Sequence, residues 1–373
     1  MKSIRNIYKK FYKVKIKRIK EEGIVYTVKE LLREINYFPA KEKVFIKPNL
    51  GYHSWYGSPY IVNPMVVRGV IEYLREAGNF EVIIGEGVGD CDFYTLWQDA
   101  GYEETLKDFS IKKVNLYEVK RVKRFLNDSF FLYLPAILEE VEYINIAKLK
   151  THIQTLLSLT LKNQKGLLNQ ETQKAFHRNL HRNIAKLACM VKPDLAIVDG
   201  SNILAGNGPS AFGEELKLGI IIGGRDFLLV DEATSQLVGI NPREVKHIYY
   251  ARKFGVTHLP YLRYKSILNI QRPSSFYQGK RFRIYWSEYS CSYASILEEA
   301  ICEWLNQQEL SLNLGILTGP PMSPVLDKVD KVLLVGNCAI ERVNTSLPCF
   351  SVAGCPPTFE EIKKRIIQEG LIK

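Results

Sequence analysis

Four apolar runs of strand length each end on a charged or amide side chain. VFIKPN carries Lys47 and Asn49, EVIIGEG carries Glu86, YINIAKLK carries Lys148 and Lys150, and LAIVDG carries Asp199. Between the first two runs, Asn63 and Pro64 have the characters of an N-cap and a first helical residue. Val66, Val67, Val70, Ile71 and Leu74 then follow helical spacing, and Gly78 is positioned to end the helix. Strand, helix and strand in that order require a right-handed crossover and parallel pairing. The same spacing arguments predict strands at 114–116, 130–134, 144–147, 195–198, 218–222 and 332–335, and helices at 180–190, 233–238 and 243–253. The expected fold is a doubly wound α/β architecture with a mostly parallel sheet, and a smaller cysteine-bearing C-terminal α/β region. Residues 1–258 are expected to hold the basic N-terminal segment and the core, and 259–373 the smaller region.

If the four strands share a direction, their polar ends fall along one rim, the edge of an open α/β sheet where ligands bind. Should the third strand continue through Lys150, then Ile144, Ile146, Lys148 and Lys150 share one face by the period-two rule. Thr151 is expected to cap a helix through Ile153, Leu156, Leu157, Thr160 and Leu161, bringing a helix N-terminus beside His152. The expected catalytic groups are His152, His181, Lys150 and Lys162, and the expected substrate contacts are Lys47, Asn49, Glu86, Lys148, Asn163 and Asp199. Any one of these lysines taken alone reads as the solvated end of an element; several together point to an anion. His152, among lysines, is expected to have a depressed pKa that leaves it neutral as a base or ligand. His177 and His181 lie four apart on an expected helix and would share a face, although a further ligand for a shared metal is not evident nearby. GEGVGD at 85–90 fits neither glycine-rich phosphate motif, and NGPSAFG at 207–213 reads as a turn-rich connection.

The order of these segments resembles a known family. INIAKLKTHIQTLLSLTLKNQKGLL, then HRNIAKL, then KPDLAIVDG, preceded by VFIKPNLG and REAGNFEVIIGEG, is similar to the motifs of domain of unknown function family 362, over about Lys43 to Gly255. The resemblance implies the fold more than an activity, since the family is largely uncharacterised and some members are described as iron–sulfur proteins. GNCA and GCPP near the C-terminus resemble the cysteine-bearing end of some members. A Cys-x-x-Cys pair found there is broken here, because Ala294 stands three residues after Cys291.

Bulk properties narrow the alternatives. With 373 residues and 46% hydrophobic content, the chain can bury a full core. No apolar run reaches the roughly 18–20 residues needed to span a bilayer, and the N-terminus lacks secretory-signal character, so a cytoplasmic protein without a transmembrane segment is expected. The formal charge is +11 and the pI about 9.1. MKSIRNIYKKFYKVKIKRIK concentrates cations with Tyr8, Phe11 and Tyr12 among them. Phe11, Val14, Ile16 and Ile19 also suit an edge strand or amphipathic piece, and no nucleic-acid motif accompanies the charge, so a lysine-rich surface is the favoured reading.

Seven cysteines without a regular framework suggest free thiols or metal ligands. Cys338, Cys349 and Cys355, with Cys291 as a fourth sulfur, are the expected ligands of a 4Fe-4S cluster; zinc, or no metal at all, is the alternative. Cys189 and Cys302 read as core residues. The first functional expectation is an iron–sulfur or metal-dependent enzyme, of oxidoreductase or Lewis-acid chemistry, acting on a small anionic carboxylate or phosphate substrate with an electron-donor protein as partner. The alternatives are a metal-free Lys/His isomerase or lyase, and a non-enzymatic basic protein associated with nucleic acid.

Overall fold

In chain order the elements are β1 (Lys15–Arg18), α1 (Gly23–Ile35), β2 (Lys43–Pro48), α2 (Pro64–Ala77), β3 (Glu81–Glu86), α3 (Phe93–Asp99), α4 (Tyr102–Leu106) and β4 (Ile111–Asn115). They continue with β5 (Arg121–Asn127), β6 (Phe130–Pro135), β7 (Glu142–His152), β8 (Leu156–Ser158), α5 (Thr160–Asn163), α6 (Gln170–Phe176), α7 (Leu180–Met190), β9 (Leu195–Gly206) and β10 (Gly213–Gly224). The remainder is α8 (Phe227–Leu237), α9 (Lys246–Lys253), β11 (Phe276–Gln278), β12 (Phe282–Tyr285), α10 (Ser292–Leu305), β13 (Leu314–Leu317), β14 (Lys331–Val335), α11 (Asn337–Arg342), β15 (Cys349–Val352) and α12 (Phe359–Gln368). This computed structural model describes residues 14–51, 54–88, 91–127, 130–209, 212–287, 292–319 and 326–372. Lys9, Lys10, Lys13 and Cys291 lie outside the described residues, as do parts of GEGVGD and NGPSAFG.

The main sheet has the order β1-β10-β9-β7-β2-β3-β4, with β8 paired to β7. β2 is parallel to both β3 and β7, β3 is parallel to β4, and β7 is parallel to β9. The expected doubly wound, mostly parallel fold is what the chain adopts. Its layout follows from local chemistry: Asn63 caps α2 by accepting the Met65 backbone N–H (2.9 Å), Pro64 takes the first helical position, and Gly78 closes the helix. β3 and β4 are laid down on one side of β2, whereas β7 and β9 are laid down on the other. The succession therefore reverses between β2 and β7, and a crevice opens at such a point beyond the strands' carboxyl ends. Val44, Ile46, Ile84, Ile144, Ile146, Leu195 and Ile197 from these strands are buried in one core with α1 and α2.

Several local expectations change. Thr151 does not cap a helix, because β7 runs on to His152 and Leu156 adopts a φ of +65°, which no right-handed helix can pass through. The helix begins instead at Thr160, capped from α8 by Asp231, whose Oδ1 accepts the Thr160 N–H (2.9 Å) and hydroxyl (2.6 Å) while Oδ2 accepts the Leu161 N–H (2.9 Å). The expected strand at 130–134 pairs antiparallel with β5 as a separate two-stranded sheet. Part of the basic N-terminal stretch, Lys15–Arg18, is the antiparallel edge strand against β10. His177 falls in a single 3-10 turn ahead of α7, and Asn179 (φ −142°, ψ 53°) interrupts the backbone between them, so His177 and His181 do not share a helical face. Cys189 is exposed because it falls off the α7 stripe of Leu180, Ile184 and Leu187, whereas Cys302 is a core residue.

The chain forms two compact units. The first runs to Lys150 and includes Leu157–Leu204 and Glu215–Ile270; the second comprises Thr151–Leu156, Ala205–Glu214 and Gln271–Lys373. The first unit extends past the expected boundary at 258 because the following segment is tied to the end of α8: Ile267 and Leu268 donate to Leu237 O, and Ile270 donates to Val238 O. The second unit contains a sheet of order β11-β12-β13-β14-β15, parallel from β12 onward, with Ile284, Ile316, Leu333, Ile362 and Ile366 in its core. Among the described residues no helix is long and apolar enough to cross a membrane.

Ile184 of α7 has no solvent exposure. Ile184→Ala is expected to lower the unfolding free energy by about 2–5 kcal/mol in a urea titration, with the cavity adding to the lost transfer energy.

Candidate functional site

Six of the expected rim residues come together at the carboxyl ends of β2 and β3 and, on β7 and β9, around the register shift that follows the Lys148–Asp199 pair, beyond which β9 runs on to Gly206 where the sequence predicts an end at 198. Lys47 leaves β2 and meets Glu86 at the end of β3, with Nζ 2.7 Å from Oε2 and both side chains essentially without solvent exposure. Glu86 also accepts the backbone N–H of Leu50 at Oε2 (3.3 Å) and of Gly87 at Oε1 (2.9 Å). Lys148 of β7 meets Asp199 of β9 at 2.9 Å, again with neither side chain exposed. Asp199 accepts the Asn63 N–H at Oδ2 (2.8 Å) and the Ser201 N–H (2.9 Å) and hydroxyl (2.6 Å) at Oδ1. Lys148 gives a second hydrogen bond to Asn202 Oδ1 (2.6 Å). A buried ammonium persists as a charge only when it is paired and its remaining hydrogen-bonding capacity is used. Lys47, Glu86, Lys148 and Asp199 therefore compensate one another, and the rim's net charge is set elsewhere. Burial pulls the Lys47 ammonium below its ordinary pKa against the attraction of Glu86.

Asn163, the last residue of α5, joins β2 to β7 at the point where the strand succession reverses. Its Oδ1 accepts from Lys47 Nζ (3.1 Å), and its Nδ2 donates to Asn145 Oδ1 (2.7 Å) and Ile146 O (3.1 Å). Asn145 in turn donates to Thr160 O (2.9 Å), fixing the start of α5 to the sheet. Asn49 donates its backbone N–H to Ile146 O (2.9 Å), while its side-chain Oδ1 is buried and accepts no hydrogen bond among the described residues. Gly166 presses on the first ion pair: a Cβ there would sit 2.1 Å from Glu86 Oε1 and 2.8 Å from Lys47 Nζ. Only a residue without a side chain fits.

Lys150 and Lys162 are placed differently from Lys47 and Lys148. Lys150 donates to Tyr60 O (2.6 Å) and Lys162 to Ser158 Oγ (3.4 Å), and among the described residues neither forms an ion pair. Burial, followed by the charge of Lys148, lowers the Lys150 pKa to about 7. Burial, followed by the charges of Lys165 and Lys150, holds the Lys162 amine well below its ordinary value, although part of its side chain keeps solvent exposure. Lys165 in turn meets the His177 ring. Cationogenic groups thus crowd one another here with few opposing carboxylates. An amine near pKa 7 is poised as a general base or nucleophile at neutral pH.

His247, which sequence reasoning missed, belongs to the same neighbourhood. It lies in the first turn of α9, has no solvent exposure, and neither ring nitrogen makes a hydrogen bond among the described residues. Its ring is stacked on that of His181 at the start of α7, with centroids 6.1 Å apart and planes at 14°. Burial, then the charges of His181 and Lys162, keeps the His247 pKa well below its ordinary value. An unmet buried polar group costs about 1–3 kcal/mol, so two on one ring call for an explanation. No local motif marks His247, because HIYYARK reads as an ordinary helix; only the packing of α9 on α7 reveals it.

His152 closes β7 in the second unit, where its Nδ1 accepts the Gln154 backbone N–H (3.1 Å). The expected sulfur ligands also lie in that unit. Cys338 and Cys355 follow the carboxyl ends of the adjacent strands β14 and β15, with Asn337 and Gly354 bonded to each other through Asn337 N–H to Gly354 O (3.0 Å) and Gly354 N–H to Asn337 Oδ1 (2.9 Å). Cys349 opens β15, in register with Val332 at the start of β14, and so stands at the opposite strand end. Thiolates sharing one metal ion lie within about 4 Å of each other, given metal–sulfur bonds of about 2.3 Å. The described thiols therefore do not all surround one metal ion, and among the described residues no group of three or more His, Cys, Asp or Glu side chains is arranged to hold one.

The model of the family described as "Domain of unknown function (DUF362)" matches residues 44–236, a span that contains both ion pairs, Lys150, Lys162 and Asp231. His247 and the C-terminal cysteines fall outside it. The thylakoid-associated protein sll1697 of Synechocystis sp. is 24% identical over 232 residues, covering 59% of this chain and 70% of that protein.

Gly166→Ala is expected to force Lys47 and Glu86 apart and to destabilise the protein by an amount approaching the ~3–5 kcal/mol lost when a buried ion pair is broken. Chemical denaturation measures this, and an unchanged midpoint would show that the pair yields to a methyl group without cost.

Proposed function

The chain belongs to the family of that description, and from this premise we propose that the protein is an enzyme acting on a small anionic carboxylate or phosphate substrate at the carboxyl ends of β2 and β7. The observation that carries the proposal is the contrast among four lysines. Lys47 and Lys148 have carboxylate partners, whereas the buried Lys150 and the partly buried Lys162 make no ion pair among the described residues. Leaving a buried amine beside a partly buried one without counter-charge is costly unless a ligand supplies that charge. Perturbed groups clustered at a strand-end crevice are also what catalytic sites require.

In this reading Lys150, poised near pKa 7, takes a proton from the bound substrate, and Lys162 stabilises the negative charge that develops, as the donors of an oxyanion hole do. The unmet Oδ1 of Asn49 accepts from a donor group of the substrate. The two ion pairs hold the strand ends in register and take no part in proton transfer. Proton abstraction of this kind belongs to isomerases and lyases. An iron–sulfur or zinc centre would be an addition to the reading, with Cys338 and Cys355 as the thiols on adjacent strand ends, and no step is routed through it.

The sign of the pH dependence follows from Lys150. Its pKa of about 7 lies below the ordinary 10.5, and a bound anion raises it by favouring the ammonium. Binding therefore takes up a proton above pH 7, and affinity falls as pH rises through that value, by up to about tenfold per unit. Titrations of sulfate and of small carboxylates, which do not themselves titrate between pH 6 and pH 9, measure this. Lys150→Gln should remove the pH dependence and weaken binding at least tenfold while the thermal midpoint holds or rises. An affinity that is flat over this range, or a Lys150→Gln protein that binds like the wild type, rules the reading out.

A further inference from the structure

We infer that His247, with Lys162, forms the inner end of the anion site and takes a phosphate group that carries its own proton. The inference rests on the anion reading above and narrows the class of ligand. Helix α7 packs against both α5 and α9, so Lys162 from α5, His181 from α7 and His247 from α9 come to one place in the first unit. The His247 ring lies parallel to that of His181 and has no solvent exposure. Both of its nitrogens lack a hydrogen-bond partner among the described residues.

The nearby carboxylates are already engaged. Asp231 accepts three hydrogen bonds from Thr160 and Leu161. Glu232 is taken by the guanidinium of Arg252, which follows His247 on its own helix (Nε to Oε1, 2.9 Å). The charges that act on His247 come from His181 and Lys162, and with burial they favour the neutral ring. A neutral imidazole offers one donor and one acceptor, and the Lys162 amine offers donors.

A ligand with acceptor oxygens only, such as a carboxylate or sulfate at neutral pH, leaves the lone pair of the ring unmet. A phosphate group retaining one proton meets both kinds of site, since its O–H donates to a ring nitrogen while its other oxygens accept from the ring N–H and the amine. A site built around a ligand's hydroxyl discriminates strongly against an analogue without it. At pH 7.5 free inorganic phosphate keeps one O–H, whereas a phosphomonoester terminus, with its second pKa of about 6, is mostly without one, so the free ion is the ligand that fits.

The test is calorimetric titration of the full chain at pH 7.5 with inorganic phosphate, sulfate and glycerol 3-phosphate. Phosphate is expected to bind at least tenfold more tightly than sulfate. Phosphate is expected to bind more tightly than glycerol 3-phosphate, whose phosphate group is mostly without a proton at this pH, and the reverse order overturns the inference. His247→Leu, of similar volume, should fold with an equal or higher thermal midpoint, bind phosphate about tenfold more weakly and lose the preference over sulfate. His247→Gln, which keeps a donor and an acceptor, should recover part of both. If Lys150→Gln abolishes binding while His247→Leu keeps wild-type affinity and preference, the anion site stands and the role of His247 falls. If Lys150→Gln itself binds normally, the underlying reading falls. Wild-type protein that binds neither ion, or binds sulfate as tightly as phosphate, overturns the inference as well.

Discussion

Burying a charged amine in a protein interior costs several kcal/mol, and the pairing of Lys47 with Glu86 and of Lys148 with Asp199 is how this chain offsets that cost at the ends of four parallel strands. Each carboxylate also collects backbone donors, from Leu50 and Gly87 in one case and from Asn63 and Ser201 in the other. The loops leaving the strands are thereby pinned to the charges at their ends. Asn163 adds the cross-link between β2 and β7, and Asp231 holds the helix that carries Asn163. These are satisfied networks, which rigidify a site because no member can move without orphaning another.

Against that compensated background, the lysines without carboxylate partners acquire their character. Lys150 is two residues beyond Lys148 on the same strand and the same face, yet it faces a backbone carbonyl where Lys148 faces a carboxylate. The same side-chain type is therefore a structural cation at one position and an amine near pKa 7 at the other. Lys162 and His247 extend this neighbourhood away from the strand ends, each holding the next toward its neutral form.

Much of this arrangement could be read from local pattern. The strand runs that carry Lys47, Glu86, Lys148 and Asp199, the Asn63–Pro64 helix start and the Gly78 stop depend on neighbours in sequence, and each forms, although the strands of Lys148 and Asp199 run on past them. The failures share a different cause. The helix expected after Thr151 is lost because Leu156 takes a left-handed backbone conformation. The shared face of His177 and His181 is lost to the break at Asn179. The single rim of cations resolved into paired and unpaired lysines only because the carboxylates lie 39 and 51 residues away in sequence.

The sequence by itself determined the parallel α/β class, the common direction of the strands and the gathering of Lys47, Glu86, Lys148, Lys150 and Asp199 at their carboxyl ends, because hydrophobic period and capping chemistry act over a few residues. Tertiary structure alone decided which lysine meets a carboxylate, why residue 166 has no side chain, and that His247 from a distant helix joins Lys162 with both ring nitrogens unmet among the described residues. Those outcomes depend on desolvation and on charges brought together across the fold, and neither quantity is encoded in any local stretch of the chain.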